Sequence, residues 1–141
     1  MQLITKISKD DYYSILKWWD FGVPHVEKPT DIWFDYVSTS SSVICLCLNQ
    51  HDEIKAYCQA DIAGRSASIL VVSNPKALRK GFALKLLSEL QIILKKRNVT
   101  TMEASVEIHN KASYRLAEKF DLYIVENKNS EPGFLQYAKK I

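Results

Sequence analysis

A short loop containing a glycine lies between an apolar strand-like run and a helical pattern, and it is the part of the sequence best suited to chemistry. The apolar run 69–72 stops at Ser73, Asn74 and Pro75, and Gly81 lies in the first turns of the helical pattern. Proline interrupts strand and helix alike, so the two elements must separate here. The first amides of a helix lack internal partners, and glycine lets a ligand approach the backbone. The stretch predicts a phosphate site; a strand-to-helix turn without a ligand would have the same pattern.

The helical pattern after this loop is amphipathic. Apolar side chains recur at the three-and-four spacing of one helix face, and polar side chains fall elsewhere. That face comprises Leu78, Phe82, Leu86, Leu87, Leu90, Ile93 and Leu94. We expect this face to be buried.

The elements that must position the loop follow from the rest of the chain. Strands are expected at 2–7, 43–48, 54–62, 67–72, 100–107, 122–125 and 134–138. Helices are expected to begin at a Ser8 and Asp11 capping box, at Thr30, just after Pro75 and at Asn110. Residues 127–133 read as a turn-rich loop. The order is β-α-α-β-β-β-α-β-α-β-β, in one domain covering 1–141 without a linker.

Composition indicates an ordinary globular domain. The chain has 141 residues, 47% hydrophobic and 25% charged, with a formal net charge of +3. No apolar run approaches the length of a membrane span and no signal-like leader is visible, so we expect a cytoplasmic protein. The basic runs 95–97 and 139–140 are typical of solvated chain or helix ends, and they give nucleic-acid binding no specific support.

The cysteines are expected to be core residues. Cys45, Cys47 and Cys58 lie on apolar strand patterns, and no histidine lies at metal-ligand spacing from them. We therefore expect no metal site and a reducing compartment.

An aromatic cluster near the N-terminus indicates a cleft. Eight rings lie within a short stretch: Tyr12, Tyr13, Trp18, Trp19, Phe21, Trp33, Phe34 and Tyr36. This exceeds what two short helices normally bury, so some rings are expected to line a substrate cleft near the loop 21–29. For any single ring, a position in the core or plainly on the surface is the more common case.

The glycine loop resembles the pyrophosphate loop of the GNAT N-acetyltransferase family. That loop reads Pro, two variable residues, Arg or Gln, two variable residues, Gly, one variable residue, and Gly or Ala. Pro75, Gly81 and Ala83 are in register, while Leu78 replaces the Arg or Gln and Arg79 lies beside it. The resemblance implies an acetyl-CoA cofactor, with these contacts: Val72, Ser73, Leu78, Arg79, Lys80, Gly81, Phe82, Ala83 and Asn110.

The element order also resembles this family from end to end. It implies an α/β (α+β) fold, a single GNAT domain with a mixed central sheet of about seven strands and four helices. The cofactor would then lie between the strands 67–72 and 100–107, where they splay apart.

A second family signature is only partly kept. It reads Asn, two variable residues, Ala, three variable residues, Tyr, three variable residues, Gly, Phe. The chain keeps Asn110 but has Ala117, Asp121 and Leu122 in place of the tyrosine, glycine and phenylalanine. In the family that tyrosine usually protonates the departing thiolate, which alanine cannot do. Tyr114, or else Ser113, could replace it; Tyr114 could also be a packing residue.

The proton acceptor for an amine substrate is left open. Asp61 and Glu107 lie on strand patterns and could reach a central cleft, and His25 and His109 are alternatives of equal standing. Each is equally consistent with a surface residue.

The resemblance implies acetyl transfer from acetyl-CoA to a small-molecule or protein amine by direct attack, without an acyl-enzyme. The segments Lys17-Trp18-Trp19, 22–24 and 71–75 also resemble small bacteriophage-encoded members with degenerate motifs. Two alternatives follow: an inactive GNAT-fold structural or interaction protein, such as a virion component, and a nucleic-acid-modifying transferase. The protein could be a monomer or a homodimer. It would be located in the cytoplasm of a bacterial host or, under the structural alternative, in a virion.

Overall fold

A seven-stranded mixed sheet runs through the part of the chain that the computed structural model describes, residues 1–125 and 131–141. The strands are β1 Gln2–Ile4, β2 Val43–Gln50, β3 Glu53–Ala63, β4 Ser66–Ser73, β5 Thr101–Glu107, β6 Tyr123–Ile124 and β7 Phe134–Lys140. Their order in the sheet is β1-β2-β3-β4-β5-β7-β6, and only β4 and β5 pair in parallel. The described α-helices are α1 Lys9–Leu16, α2 Asp31–Thr39, α3 Phe82–Lys96 and α4 Lys111–Lys119. The predicted fold class and element order are confirmed.

The helix starts form at the capping residues that the sequence indicates. Ser8 and Asp11 form the reciprocal capping box, with Ser8 N to Asp11 Oδ2 at 2.9 Å and Asp11 N to Ser8 Oγ at 3.1 Å. Thr30 caps α2, and Asn110 Oδ1 accepts from the Ser113 N–H at the start of α4.

The ends of α3 and α4 share one local structure. Asn98 and Asp121 adopt φ of 63° and 61°, and the following residue donates back into the last helical turn: Val99 to Leu94, and Leu122 to Ala117. This is a Schellman C-cap, which asks for a residue that tolerates left-handed backbone. Asparagine and aspartate tolerate it better than other non-glycine residues.

The sheet separates two hydrophobic cores. The α3 and α4 face buries Leu86, Leu87, Leu90 and Leu94 against strand residues such as Met102. The α1 and α2 face buries Tyr12, Ile15, Trp18 and Tyr57 among others. Cys45, Cys47 and Cys58 are unpaired thiols inside these cores, as the sequence predicts.

Some predicted boundaries are wrong by a few residues. β1 ends at Ile4 rather than at residue 7, because Ile7 is buried in the second core just before the Ser8 cap. α1 passes into a 3₁₀ segment, Lys17–Phe21, which ends at Gly22 with φ of 86°. Of the loop predicted at 127–133, residues 127–130 lie outside the described residues.

Candidate functional site

A gap opens in the middle of the sheet between β4 and β5. The two strands pair only from Ser66 to Ser68, opposite Thr101 to Glu103. Beyond that point β4 stays paired with β3 as far as Ser73 opposite Ala56. β5 likewise stays paired with β7 as far as Glu107 opposite Phe134. The strands therefore diverge along 69–73 and 104–107.

The walls of this gap carry backbone hydrogen-bonding groups. In a strand paired on one side only, alternate residues direct their N–H and C=O groups away from the partner. Along 69–73 of β4 such groups face the gap. An extended ligand with amide groups could pair with them as an added strand would.

The loop at the end of β4 is anchored by a buried asparagine. Asn74 is 3% exposed. Its Nδ2 donates to Glu53 Oε1 at 2.9 Å and to the Ile54 carbonyl at 3.1 Å, and its Oδ1 accepts from Lys76 N at 3.0 Å. Sequence reasoning did not single out Asn74, although an asparagine before Pro75 is a turn signal. The anchor fixes where the loop leaves the sheet.

The rest of the loop approaches α3 through two left-handed residues. Pro75–Ala77 forms a short 3₁₀ turn, then Arg79 has φ of 63° and Gly81 has φ of 80°. Gly81 is the N-cap of α3, and no side chain caps this helix start. A Cβ atom at Gly81 would meet no atom within 4 Å, so the space beside it is open. Free amides, an open space and the helix dipole together favour an anion here.

Apart from Asn110, which caps α4, the residues predicted to contact the cofactor lie at the end of β4, in this loop or in the first turn of α3. Val72 is buried at the end of β4, Ser73 is partly buried, and Lys80 is exposed. Leu78 was predicted to lie on the buried face of α3, and this is wrong: it precedes the helix and is 55% exposed. α3 begins only at Phe82, because the left-handed Gly81 ends the loop.

The loop 22–30 covers the other face of the sheet at the end of β5. His25 Nδ1 lies 2.8 Å from Glu107 Oε2, bringing together two residues predicted separately as proton acceptors. Trp19 Nε1 donates to the Val26 carbonyl at 3.1 Å and holds the loop from inside. The Lys76 ammonium lies 3.9 Å from the centre of the Phe21 ring, so the loop after β4 touches the end of the 3₁₀ segment Lys17–Phe21.

Asp61 lies in a separate polar chain at the base of the gap. Tyr36 donates to its Oδ1 at 2.8 Å and Gln59 to its Oδ2 at 2.9 Å, and Trp33 Nε1 donates to Gln59 Oε1 at 2.7 Å. The hydrogen bond to Asp61 raises the pKa of Tyr36, and desolvation adds to the shift. Sequence reasoning missed Gln59, because a glutamine on an alternating strand carries no signal of its partner.

The structure does not bring Asp61 and Glu107 to one point. Asp61 is opposite Ser68, which is opposite Glu103 at the root of the gap. Glu107 lies four residues further along β5, about 13 Å at about 3.3 Å per residue. The two carboxylates therefore lie apart along the sheet.

The residues predicted to protonate a leaving group lie on α4. The Tyr114 ring is partly buried, with its centre 6.3 Å from that of Tyr137. Ser113 is partly buried, and its N–H donates to the Asn110 cap, which occupies the Oδ1 of Asn110. Ala117 is 4% exposed and packs in the first core. The packing of Tyr114 is compatible with both roles that the sequence leaves open, a proton donor to the thiolate and a packing residue.

The eight aromatic residues range from core to surface, and Trp19, Trp33 and Phe34 are partly buried against the second core. Tyr12 and Trp18 are buried, whereas Tyr13, Phe21 and Tyr36 are largely exposed. Phe21 contacts the Lys76 ammonium and Tyr36 donates a hydrogen bond to Asp61, so each of these two exposed rings lies beside a charged group.

Neither a metal-binding cluster nor a membrane-spanning helix is found among the described residues. Among residues 1–125 and 131–141, no three His, Cys, Asp or Glu side chains are grouped closely enough to hold a metal ion. The described helices include none with the length and apolar content needed to cross a membrane.

Comparison with known proteins identifies the family to which this chain belongs. The family model described as acetyltransferase (GNAT) family matches residues 9–122. The chain therefore belongs to the acetyltransferase (GNAT) family, a class whose enzymes transfer an acetyl group. No curated protein matches the sequence significantly.

Solved structures share the fold at low identity. The ribosomal-protein-S18-alanine N-acetyltransferase of Escherichia coli aligns with a TM-score of 0.80 and 17% identity, over 99% of this chain and 93% of that one. The PaiA N-acetyltransferase of Thermoplasma acidophilum, solved with coenzyme A, has a TM-score of 0.77 and 13% identity over 100% of both chains. YncA, a putative acetyltransferase of Salmonella typhimurium solved with acetyl-CoA, aligns with a TM-score of 0.77 and 17% identity, over 99% of this chain and 92% of that one. At these identities the likeness concerns the fold.

Proposed function

We propose that this protein is an N-acetyltransferase that takes an acetyl group from acetyl-CoA and transfers it to a primary amine. The observation that carries the proposal is the gap between β4 and β5, which ends at a loop built to receive an anion. An extended chain with amides and a pyrophosphate at one end matches both halves of this site. Solved relatives of the same fold that hold coenzyme A or acetyl-CoA support this choice of ligand.

Different residues of the chain bind different parts of the cofactor. The backbone of Val72 and Ser73 pairs with the pantetheine arm, and the amides from Arg79 to Ala83 bind the pyrophosphate. Lys76 and Lys80 are exposed cations beside that loop and attract its negative charge. Asn110, whose Oδ1 caps α4, keeps its Nδ2 for the arm.

Transfer takes place by direct attack of the amine on the thioester carbonyl. A covalent intermediate would need an accessible nucleophile with a base beside it. Cys45, Cys47 and Cys58 are at most 5% exposed. Burial raises the pKa of Cys58, and a hydrogen bond to Cys45 raises that of Cys47, so both stay protonated and unreactive. The departing thiolate takes its proton from Tyr114, with Ser113 as the alternative donor, or from water.

Calorimetric titration with acetyl-CoA tests the proposal. Wild-type protein should bind it, and Gly81→Val should not, because the side chain would occupy the open space beside the loop and would strain the left-handed backbone. Gly64→Val is the matched control: Gly64 also has positive φ and open space around it, but it lies in the turn between β3 and β4. Equal affinity in both variants would contradict the placement of the pyrophosphate.

A second candidate function is a non-catalytic interaction protein of the same fold, for example a phage virion component. Ala117 favours it, because it stands at the position of the family's proton-donating tyrosine and lies in the core. Under this alternative the wild-type protein would release no CoA from acetyl-CoA with any amine.

A further inference from the structure

We propose that His25 is the base that takes the proton from the acceptor amine and that Glu107 positions it. This deepens the proposed function and rests on it. The carrying observation is the 2.8 Å contact between His25 Nδ1 and Glu107 Oε2, across 82 positions of the sequence.

The contact sets the tautomer of the histidine. An ionised carboxylate only accepts hydrogen bonds, so Nδ1 must carry the proton that it donates to Glu107. In neutral His25 the other nitrogen, Nε2, is then a free proton acceptor. Within residues 1–125 and 131–141, no partner lies within hydrogen-bond distance of Nε2. A tautomer fixed in this way is what a general base needs.

The backbone holds the imidazole in place. His25 has φ of 65°, a left-handed conformation that non-glycine residues seldom adopt. Its neighbours are fixed by the bond from Trp19 Nε1 to the Val26 carbonyl and by the 3₁₀ turn that ends at Gly22. Residues held in rare conformations cluster at functional sites.

The pair lies where the acceptor must arrive. Glu107 ends β5, one wall of the gap, and His25 comes from the loop that covers the sheet face opposite α3. The His25 side chain is 28% exposed and that of Glu107 36%, so a substrate can reach both groups while water is partly excluded.

Proton transfer follows the formation of the new C–N bond. The amine nitrogen forms a bond to the thioester carbonyl carbon, and the ammonium proton of the resulting tetrahedral adduct passes to His25 Nε2. The C–S bond then breaks, the thiolate leaves and takes a proton, and the amide remains. The carboxylate of Glu107 stabilises the imidazolium until the proton passes to solvent.

The experiment measures CoA release from acetyl-CoA with glycinamide, L-lysine and spermidine as probe amines. Wild-type protein should acetylate at least one of them. His25→Ala should lose about 100-fold or more in kcat, keep the acetyl-CoA affinity, and recover part of the rate with added imidazole. Glu107→Gln keeps an acceptor for Nδ1 and should lose less than Glu107→Ala. The control His51→Asn removes an exposed histidine in the β2–β3 turn and should leave the rate unchanged.

Two results would overturn the assignment: an unchanged kcat in His25→Ala, and a fall that imidazole does not reverse. A wild-type protein that acetylates none of the probes would contradict the proposed function, on which the assignment rests. Loss of the rate in His109→Gln with His25→Ala unaffected would move the role to His109. Failure of the wild type to bind acetyl-CoA at all would instead contradict the proposed function itself.

Discussion

Asn74 donates a hydrogen bond of 2.9 Å to Glu53, a residue at the start of β3, and so ties the loop after β4 to the neighbouring strand. With the bonds to the Ile54 carbonyl and from Lys76 N, the side chain uses both of its ends inside a 3% exposed site. The position of the loop thus depends on one amide group.

Asn74→Ala should lower the free energy of unfolding by about 1–3 kcal/mol, because buried polar partners lose their bonds. It should also weaken acetyl-CoA binding, since the loop loses its anchor. Urea denaturation and calorimetry measure the two effects. Glu53→Gln keeps an acceptor for Asn74 and should stay within about 0.5 kcal/mol of wild type. Unchanged stability and acetyl-CoA affinity in Asn74→Ala would show that the amide is not the anchor.

Asp121→Gly should stabilise the protein by about 0.5–1 kcal/mol. Asp121 has φ of 61° at the end of α4, and glycine adopts this backbone without the steric cost of a Cβ atom. Thermal unfolding measures the change. Asp121→Ala is the control and should destabilise, because alanine keeps the Cβ and lacks the polar side chain; a higher melting temperature for the alanine variant would contradict the explanation.

Stability should fall as the pH rises above about 8.5, where a thiol in the unfolded chain ionises. Burial raises the pKa of Cys58, so the folded state keeps a proton that the unfolded state loses. Unfolding then becomes easier with rising pH, by about 1.4 kcal/mol per pH unit for each such thiol. Urea denaturation of reduced protein from pH 7 to 10 would show it. Cys58→Ala should have a shallower slope; an identical slope would exclude Cys58 as a source.

Tyr114→Phe should lower kcat while leaving acetyl-CoA affinity and stability close to wild type. The ring keeps its contact with Tyr137, and only the hydroxyl that would protonate the thiolate is lost. Steady-state kinetics and calorimetry separate the two effects. Ser113→Ala tests the alternative donor. If neither variant changes kcat, water protonates the thiolate and Tyr114 is a packing residue.

Local signals in the sequence were enough for most of the fold. Apolar periodicity and turn residues predicted the order of strands and helices, and the caps Ser8, Thr30 and Asn110 were predicted from residue type and spacing alone. Each of these depends on neighbours within a few positions, which the sequence displays directly.

The features that the sequence did not predict depend on distant partners or on unusual backbone. The contact of His25 with Glu107 and the bond from Trp33 to Gln59 join residues from different elements. The residue type and local sequence of one partner do not indicate which distant residue it contacts. The Leu78 error has a second cause. The spacing of Leu78 fits the α3 pattern, but the left-handed backbone of Arg79 and Gly81 keeps the helix from beginning before Phe82. An arginine in the sequence does not indicate a left-handed conformation.

The gap also leaves the two halves of the sheet joined by strand pairing along one short seam. One half is β1 to β4 and the other is β5, β7 and β6, and their strands pair only at the three positions from Ser66 opposite Thr101 to Ser68 opposite Glu103. Beyond the seam the halves are held by the first core, because side chains of both, such as Leu48 and Met102, are buried in one cluster with those of α3. Amide hydrogen exchange at the seam would report how often these few paired positions open.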